Sequence, residues 1–264
     1  MKSLSSGASQ LKKISLIASD MDGTMTSQGR FSRELFEAFS LLRNSGVRIV
    51  LITGRSAGWV NGLASLLPID GAIAENGGVF FSTSEESGGE ELISLGCTRS
   101  QHRAKLQSAF QILQKEFPHI QEAPDNAFRV TDWTYSVHNL SEADLARMGV
   151  ICNEQGWDFT FSNVQCHITP RGQQKSEGLL RVIRSNPPLS APLDQILTIG
   201  DSPNDESMFN SKLFPNSVGV ANIKKYENHL RHKPAFLTTS EEAAGFLEMA
   251  KFVASLKSSD TQKA

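Results

Sequence analysis

The feature that most constrains this chain is a series of apolar runs, each ending at a polar residue and followed by a helical stretch. Residues 14–19 form the first run, which ends at Asp20-Met21-Asp22-Gly23-Thr24. A helix over 33–44 follows, with Ser32 as N-cap, Gly46 as its stop and Leu35, Phe36, Phe39 and Leu42 as its apolar stripe. A second run, 47–52, ends at Thr53-Gly54-Arg55. After it come a helix through Trp59, Leu63 and Leu66, a short strand at 72–74 and the loop Glu75-Asn76-Gly77-Gly78. Strand–helix repeats of this kind need right-handed crossovers and predict a parallel sheet. Ligands gather at the carboxyl ends of strands in such sheets. Asp20 and Asp22, two carboxylates at a strand end, are therefore candidates for binding a hard cation, attacking an electrophile or moving a proton. A plain Asp-Gly turn is the other reading.

The pattern then changes. Residues 82–91 are rich in Ser, Glu and Gly and read as a linker or hairpin. A helix over 101–117 carries Leu106, Phe110, Leu113 and Phe117 on one face and stops at Pro118. Strands are expected at 128–137 and 159–168. Between them Ser141-Glu142-Ala143-Asp144 resembles a capping box and opens a helix that ends near Gly156. Trp133 and Tyr135 alternate as core residues do, with stacking on a sugar as the alternative. The α/β pattern resumes with a helix at 174–184, a strand at 195–199 leading into Gly200-Asp201-Ser202-Pro203-Asn204-Asp205, a strand at 217–220 and a helix at 241–256. The expected organisation is one α/β domain from 1–84 and 169–264, interrupted by an α+β insert at 85–168.

A chain of 264 residues can bury two cores. Its net charge of −2 and scattered Lys and Arg speak against nucleic acid as a partner. No apolar run approaches the ~18 residues a membrane span needs, and residues 1–13 lack the apolar centre of a secretory signal. Cys97, Cys152 and Cys166 show no zinc spacing, so reduced thiols and a cytoplasmic location are expected. Oligomeric state is left open.

In order, the polar islands at Asp20/Asp22, Thr53, Lys175 and Asp201/Asp205 resemble the four motifs of the haloacid dehalogenase superfamily. The insert after Asn76-Gly77-Gly78 is similar to the large α/β cap of Cof-type sugar phosphatases, sucrose-phosphate phosphatases and archaeal phosphoglycolate phosphatases. The resemblance implies a Rossmann-like core with a mostly parallel sheet and an inserted cap. It implies Asp20 as a nucleophile that forms an aspartyl-phosphate, and Asp22 as the acid and base that serves the leaving oxygen and then water. Mg2+ would be held by Asp20, the Asp22 carbonyl and Asp201, with Asn204 and Asp205 orienting that shell or joining it. Lys175, the Thr53 hydroxyl and the Gly54 N–H would meet the phosphoryl oxygens. The second Asp separates phosphatases and phosphomutases from the transport ATPases and the dehalogenases.

Each residue also has a plainer reading. Ser202-Pro203-Asn204-Asp205 is a good helix start, Thr53-Gly54 a strand-ending turn, and Lys175 a solvated helix charge. Asn76 and Arg55 contact phosphate or substrate, or merely stabilise turns. Arg129, Ser162, Asn163 and His167 are the cap candidates for substrate contact. His167 also matches a histidine of phosphoglycolate-phosphatase-like sequences, with a packing or hinge role as the alternative. Segments near Ser82 and Thr169-Pro170 are expected as hinges. The expected function is a magnesium-dependent phosphatase of a small phosphorylated metabolite, phosphoglycolate or a sugar phosphate. A phosphomutase and a non-catalytic binding module are the rivals.

Overall fold

The structure, a computed structural model, describes residues 1–83, 90–92, 95–162 and 164–261. Its large sheet contains β1 (Lys2–Ser3), β2 (Leu16–Ser19), β3 (Arg48–Ile52), β4 (Gly71–Ala74), β5 (Val79–Ser82), β6 (Glu90–Glu91), β10 (Ile196–Gly200), β11 (Asn216–Gly219) and β12 (Phe236–Leu237). The order across the sheet is β1-β12-β11-β10-β2-β3-β4-β5-β6. Every pairing is parallel from β1 to β4; β4–β5 and β5–β6 are antiparallel. The parallel sheet predicted from the strand–helix repeats is therefore present, and an antiparallel edge completes it.

Both faces of this sheet are covered, as a parallel sheet requires. On one face Ile17, Ile49, Leu51 and Ile199 pack against α2 (Arg33–Asn44), α3 (Ala57–Leu66) and α7 (Glu242–Thr261). On the other, Leu16, Ala18, Val50 and Ile52 meet Leu179, Leu180, Val182 and Ile183 of α6 (Lys175–Ser185). Alternate residues of β2 thus serve opposite cores, which is why the strand reads as a continuous apolar run. Residues 1–11, which carried no predicted element, form β1 and the short α1 (Ala8–Leu11), with Leu4 and Leu11 buried against the first face.

The small sheet contains β7 (Trp133–Ser136), β8 (Trp157–Phe161) and β9 (Gln165–Pro170) in the antiparallel order β7-β9-β8. Its outer face carries α4 (Arg99–Glu116) and α5 (Glu142–Glu154). Capping boxes open both helices, Thr98 with Gln101 and Ser141 with Asp144. Trp133, Tyr135, Cys166 and Ile168 point into this cap core with Leu106, Phe110 and Leu113. Alternation then turns Thr134, His167 and Thr160, which are registered with one another, to the face opposite the helices.

Several expectations change. Residues 159–168 are not one strand but a hairpin, because Ser162 and Gln165 close a turn between β8 and β9. Residues 124–128 form a 3-10 turn, so β7 begins later than predicted. Trp133 and Tyr135 are core residues and offer no sugar platform. Phe36 and Leu66 face outward, and Ala38 takes the place of Phe36 in the buried stripe. The expected boundaries of the insert also move. Glu90–Glu91 pair with β5 of the large sheet, and β9 continues past residue 168 to Pro170. Thr169-Pro170 is consequently hydrogen-bonded strand, not a hinge loop.

Candidate active site

Three polar residues follow directly on adjacent parallel strands: Asp20 on β2, Thr53 on β3 and Asp201 on β10. The ladder carries them to one edge, since Asp20 N–H donates to Ile199 O at 2.9 Å and Thr53 N–H to Ile73 O at 2.9 Å. All three are buried. Lys175, the first residue of α6, reaches in from the side and is fully buried. Close packing there depends on two glycines. A Cβ on Gly178 would lie 2.6 Å from Gly77 Cα, so α6 can approach the 75–78 loop only with hydrogen at that position.

Lys175 Nζ donates to Asp20 Oδ1 at 2.5 Å and to Asp205 Oδ1 at 2.7 Å. The plainer reading of Lys175 as a solvated helix charge is therefore set aside: it is a buried, doubly paired cation. Burial works against its charge, but Asp20 and Asp205 hold its pKa above the ordinary lysine value. The other Asp205 oxygen accepts from the N–H groups of Asp201 and Ser202 at 2.9 and 3.1 Å. The helix-start reading of Ser202 to Asp205 thus holds together with the site reading, because one carboxylate both caps the turn and clamps Lys175. Gly200 is required here, as its Cβ would meet Asp205 Oδ2 at 2.4 Å.

Asp20 Oδ2 is buried and has no hydrogen-bond partner among the described residues. Oxygens of Asp20, Asp201 and Asp205 lie within 4.8 Å of one another. Burial pushes the Asp20 carboxyl up to about 7, with Asp205 and Asp22 adding to the rise and Lys175 opposing it. Burial, Asp20 and Asp205 likewise raise Asp201 well above the ordinary carboxyl. Such crowding of like charge is relieved by a cation, and an all-oxygen donor set suits a hard divalent ion. The Asp22 main-chain carbonyl accepts no hydrogen bond from the described residues. The residues present therefore fit Mg2+. Asn222, a residue sequence reasoning missed, steadies the cluster: its Nδ2 donates to Asp201 Oδ2 at 2.9 Å and to Gly23 O at 3.0 Å. Nothing in the sequence near Asn222 marks it, since the 3-10 turn that carries it follows β11.

Asp22 is held by Arg55 in a two-pronged pair, Nε to Oδ2 at 2.9 Å and a terminal nitrogen to Oδ1 at 2.7 Å. The Arg55 guanidinium also lies over the Trp59 ring at 5.1 Å. Thr53 Oγ1 accepts from Arg55 N–H at 3.2 Å. Asn76, in left-handed backbone, accepts from Asn204 Nδ2 at 3.0 Å, while its own Nδ2 is buried without a partner among the described residues. Two unpaired polar atoms, one acceptor on Asp20 and one donor on Asn76, thus remain in the strand-end site.

The cap closes over this edge. A cavity of about 20 Å³ is lined by Asp20, Asp22, Gly54, Arg55, Ser162 and His167, among others. A larger cleft of about 640 Å³, which shares Asn204 with it, reaches Lys175 and Asn76 but neither Asp20 nor Asp22. Of the cap candidates for substrate contact, Ser162 and His167 stand at the small cavity; Asn163 lies outside the described residues. Arg129 does not line it. Its buried guanidinium donates to Gly54 O and Asp132 at 2.9 Å, to Asp125 at 2.8 Å and to Gln165 at 2.9 Å. It joins cap to core in place of touching the cavity.

Glu75, also not singled out by sequence, forms the second part of that junction. It accepts from the N–H of Ala57 at 2.8 Å, of Val130 at 2.9 Å and of Thr131 at 2.6 Å, and from the Thr131 hydroxyl at 2.7 Å. Its position beside Asn76 in the same loop was the available signal.

The sequence pattern of the sucrose-6F-phosphate phosphohydrolase family matches residues 13–253. A phosphoglycolate phosphatase of Methanothrix thermoacetophila is 28% identical over 208 residues, 79% of this chain and 85% of that protein. Among solved structures, Thermoplasma acidophilum 0175 superposes with a TM-score of 0.70 at 21% identity, covering 92% of this chain and 99% of the other. The sucrose-phosphatase of Synechocystis sp. PCC6803, solved with sucrose and phosphate, gives 0.64 at 18% identity over 90% and 97%. The family pattern spans core and cap alike, and the chain is a member of the sucrose-6F-phosphate phosphohydrolase family within the haloacid dehalogenase superfamily.

Proposed function

We propose that this protein is a magnesium-dependent phosphatase that hydrolyses a small phosphorylated metabolite, phosphoglycolate or a sugar phosphate, through an aspartyl-phosphate. The observation that carries the reading is Asp20: a buried carboxylate with one oxygen fixed on Lys175 and the other unpaired, beside a second crowded carboxylate at Asp201. The buried carboxylates of the cap junction, Glu75 and Asp132, leave no such oxygen.

Phosphate monoesters are dianions, and a carboxylate approaches one only where positive charge offsets the repulsion. Mg2+ held by Asp20, the Asp22 carbonyl and Asp201 would supply part of that charge. The chain supplies the rest. Lys175 and the unpaired Asn76 Nδ2, with the Thr53 hydroxyl and Gly54 N–H, donate to the phosphoryl oxygens. An Asp20 oxygen attacks phosphorus as the bond to the leaving oxygen breaks, and Asp22 gives that oxygen its proton. Asp22 then takes a proton from the water that cleaves the aspartyl-phosphate. Both Asp22 oxygens are held by Arg55, so the arginine must release one before Asp22 can carry a proton. The incoming phosphate, richer in charge than a single carboxylate, is the natural competitor for that guanidinium.

The test is phosphate release from phosphoglycolate, sucrose 6-phosphate and hexose phosphates, with and without Mg2+, by wild type and Asp20→Asn. Release that needs Mg2+ and falls by about 10³-fold or more in a folded Asp20→Asn protein is expected. Retention of most activity by that variant would sink the nucleophile assignment.

A further inference from the structure

One buried side chain beside the strand-end cluster is hydrogen-bonded to three separate segments, and two of them carry groups that would hold a cation. Asn222 lies on the 3-10 turn that follows β11. Its Oδ1 accepts from the Glu242 N–H, at the start of α7, at 3.1 Å. That contact fixes which way the amide faces, so Nδ2 and its two protons turn toward the site. Nδ2 donates to Asp201 Oδ2 at 2.9 Å and to Gly23 O at 3.0 Å. The other Asp201 oxygen accepts from the Thr24 hydroxyl at a longer 3.4 Å.

Gly23 follows Asp22 directly, in left-handed backbone with a φ of 84°. Asn222 holds its carbonyl. Its N–H is held by Thr26, donating to Thr26 Oγ1 at 3.0 Å. The N–H and C=O of a trans peptide point in opposite directions, so this second bond also sets the direction of the Asp22 carbonyl. The Asp201 carboxylate and the Asp22 carbonyl come from segments far apart in the chain, and the Asn222 amide ties those segments at a set separation. The third candidate ligand, Asp20, is fixed independently by Lys175 and keeps its buried Oδ2 unpaired among the described residues.

A set separation matters more to one cation than to another. Mg2+ is small and tolerates little departure from an octahedron of oxygens, whereas Ca2+ accepts irregular shells of variable size. A loosened set of oxygens therefore gives up Mg2+ sooner than Ca2+. We infer that Asn222 is a positioning residue that sets the preference of this site for Mg2+ over Ca2+, by holding the Asp201 carboxylate and the Asp22–Gly23 segment in one frame. The inference rests on the cation reading of the strand-end site and goes beyond it, since it concerns which ion the site favours and which residue decides that.

The experiment measures cation binding by the full chain without substrate. Bound Mn2+ is followed through loss of the free-ion EPR signal, and Mg2+ and Ca2+ are titrated in as competitors. Asn222→Leu keeps the branching of the side chain and cannot donate. It is expected to weaken Mg2+ by about 10- to 100-fold, the usual cost of losing a partner behind a metal ligand. Ca2+ should weaken far less, so the ratio of Mg2+ to Ca2+ affinity falls by about tenfold. A merely structural role for Asn222 would lower stability in urea and leave that ratio unchanged in the folded protein. Equal weakening of both ions, or wild-type constants for both, overturns the inference. Thr26→Val decides if Asn222→Leu fails to fold. It keeps the shape of Thr26 and releases the Gly23 N–H, so it should move the ratio the same way by a smaller factor, and an unchanged ratio there overturns the inference as well. Wild type that binds no Mn2+ overturns the cation reading and this inference together. A shifted ratio in a protein that releases phosphate from no ester supports the inference and overturns the phosphatase reading alone.

Discussion

Two buried polar clusters meet at the cap–core boundary, and they are built in opposite ways. The strand-end cluster of Asp20, Asp201, Asp205 and Lys175 crowds carboxylates and leaves Asp20 Oδ2 unpaired. The junction cluster of Glu75, Arg129 and Asp132 is nearly as charged, but its carboxylate oxygens are all engaged by N–H or O–H donors. Burying a charge is tolerated only when it is paired. The junction meets that condition within the chain and so holds the cap in place. The strand-end site meets it only in part, and the shortfall is what a cation and a phosphate would fill. What separates the two clusters is thus an unpaired carboxylate oxygen: the junction has an unpaired atom too, Arg129 Nε, but it belongs to a guanidinium whose charge is already met by Asp132 and Asp125.

The comparison breaks most visibly under crossed substitutions. Asp22→Asn should lower kcat by about 10²- to 10⁴-fold while unfolding in urea stays close to wild type. Glu75→Ala should do the reverse. It leaves the N–H groups of Val130 and Thr131 and the Ala57 cap without their acceptor, for a loss of about 3 kcal/mol or more in urea unfolding. Activity of the folded fraction should fall far less than in Asp22→Asn. If Glu75→Ala proves as stable as wild type, the junction is not the staple described here.

A smaller effect sharpens the strand-end half. Mg2+ at a hundredfold excess over its dissociation constant should stabilise wild type by about 2.7 kcal/mol, read as a rise in melting temperature. Asp201→Asn should lose most of that rise and should melt no lower than wild type without the ion, since one of the crowded carboxylates has gone. A full Mg2+ response in the variant would remove Asp201 from the ligand set.

The smallest effect is the pH dependence of the junction. Burial holds His167 below its ordinary 6.5, and Arg129 and His167 hold Asp132 below its ordinary 3.8 although burial alone would raise it. Both groups bind protons more readily in the unfolded chain, so their contribution is complete above those values and is lost as pH falls. Glu75, pushed above its ordinary 4.5 by burial and by Asp132, works the other way. The difference between wild type and His167→Gln isolates the histidine. Wild type should lose stability more steeply than the variant as pH is lowered from about 6.5; parallel curves would show that the ring gains nothing from staying neutral.

Much of the core was legible because its information is local. The runs at β2, β3 and β10, each ending in a polar residue, report both the strand and the residue it delivers to the sheet edge. The helix α2 was visible from its cap and stripe, α4 from its stripe and α5 from its capping box. The cap was read less well. A turn at Ser162 splits what looked like one strand, because the segments on either side of it are equally rich in β-forming residues. Phe36 was placed in a stripe that the structure fills with Ala38, because side-chain size was followed where the helical spacing from Leu35 to Phe39 and Leu42 points to position 38.

What the sequence by itself determined is therefore the parallel sheet, the order of its strand-end residues and their membership in one site, since parallel strands in a twisted sheet bring their carboxyl ends to one edge whatever else the chain does. Only the tertiary structure decided which of those groups remain unpaired. It alone showed that Lys175 is buried between two carboxylates, that Asp22 is held by Arg55, and that Glu75 and Asp132, far apart in the chain, join cap to core beside the site. Pairing of buried charge is a long-range condition: each partner looks like an ordinary surface residue until the fold removes water from between them.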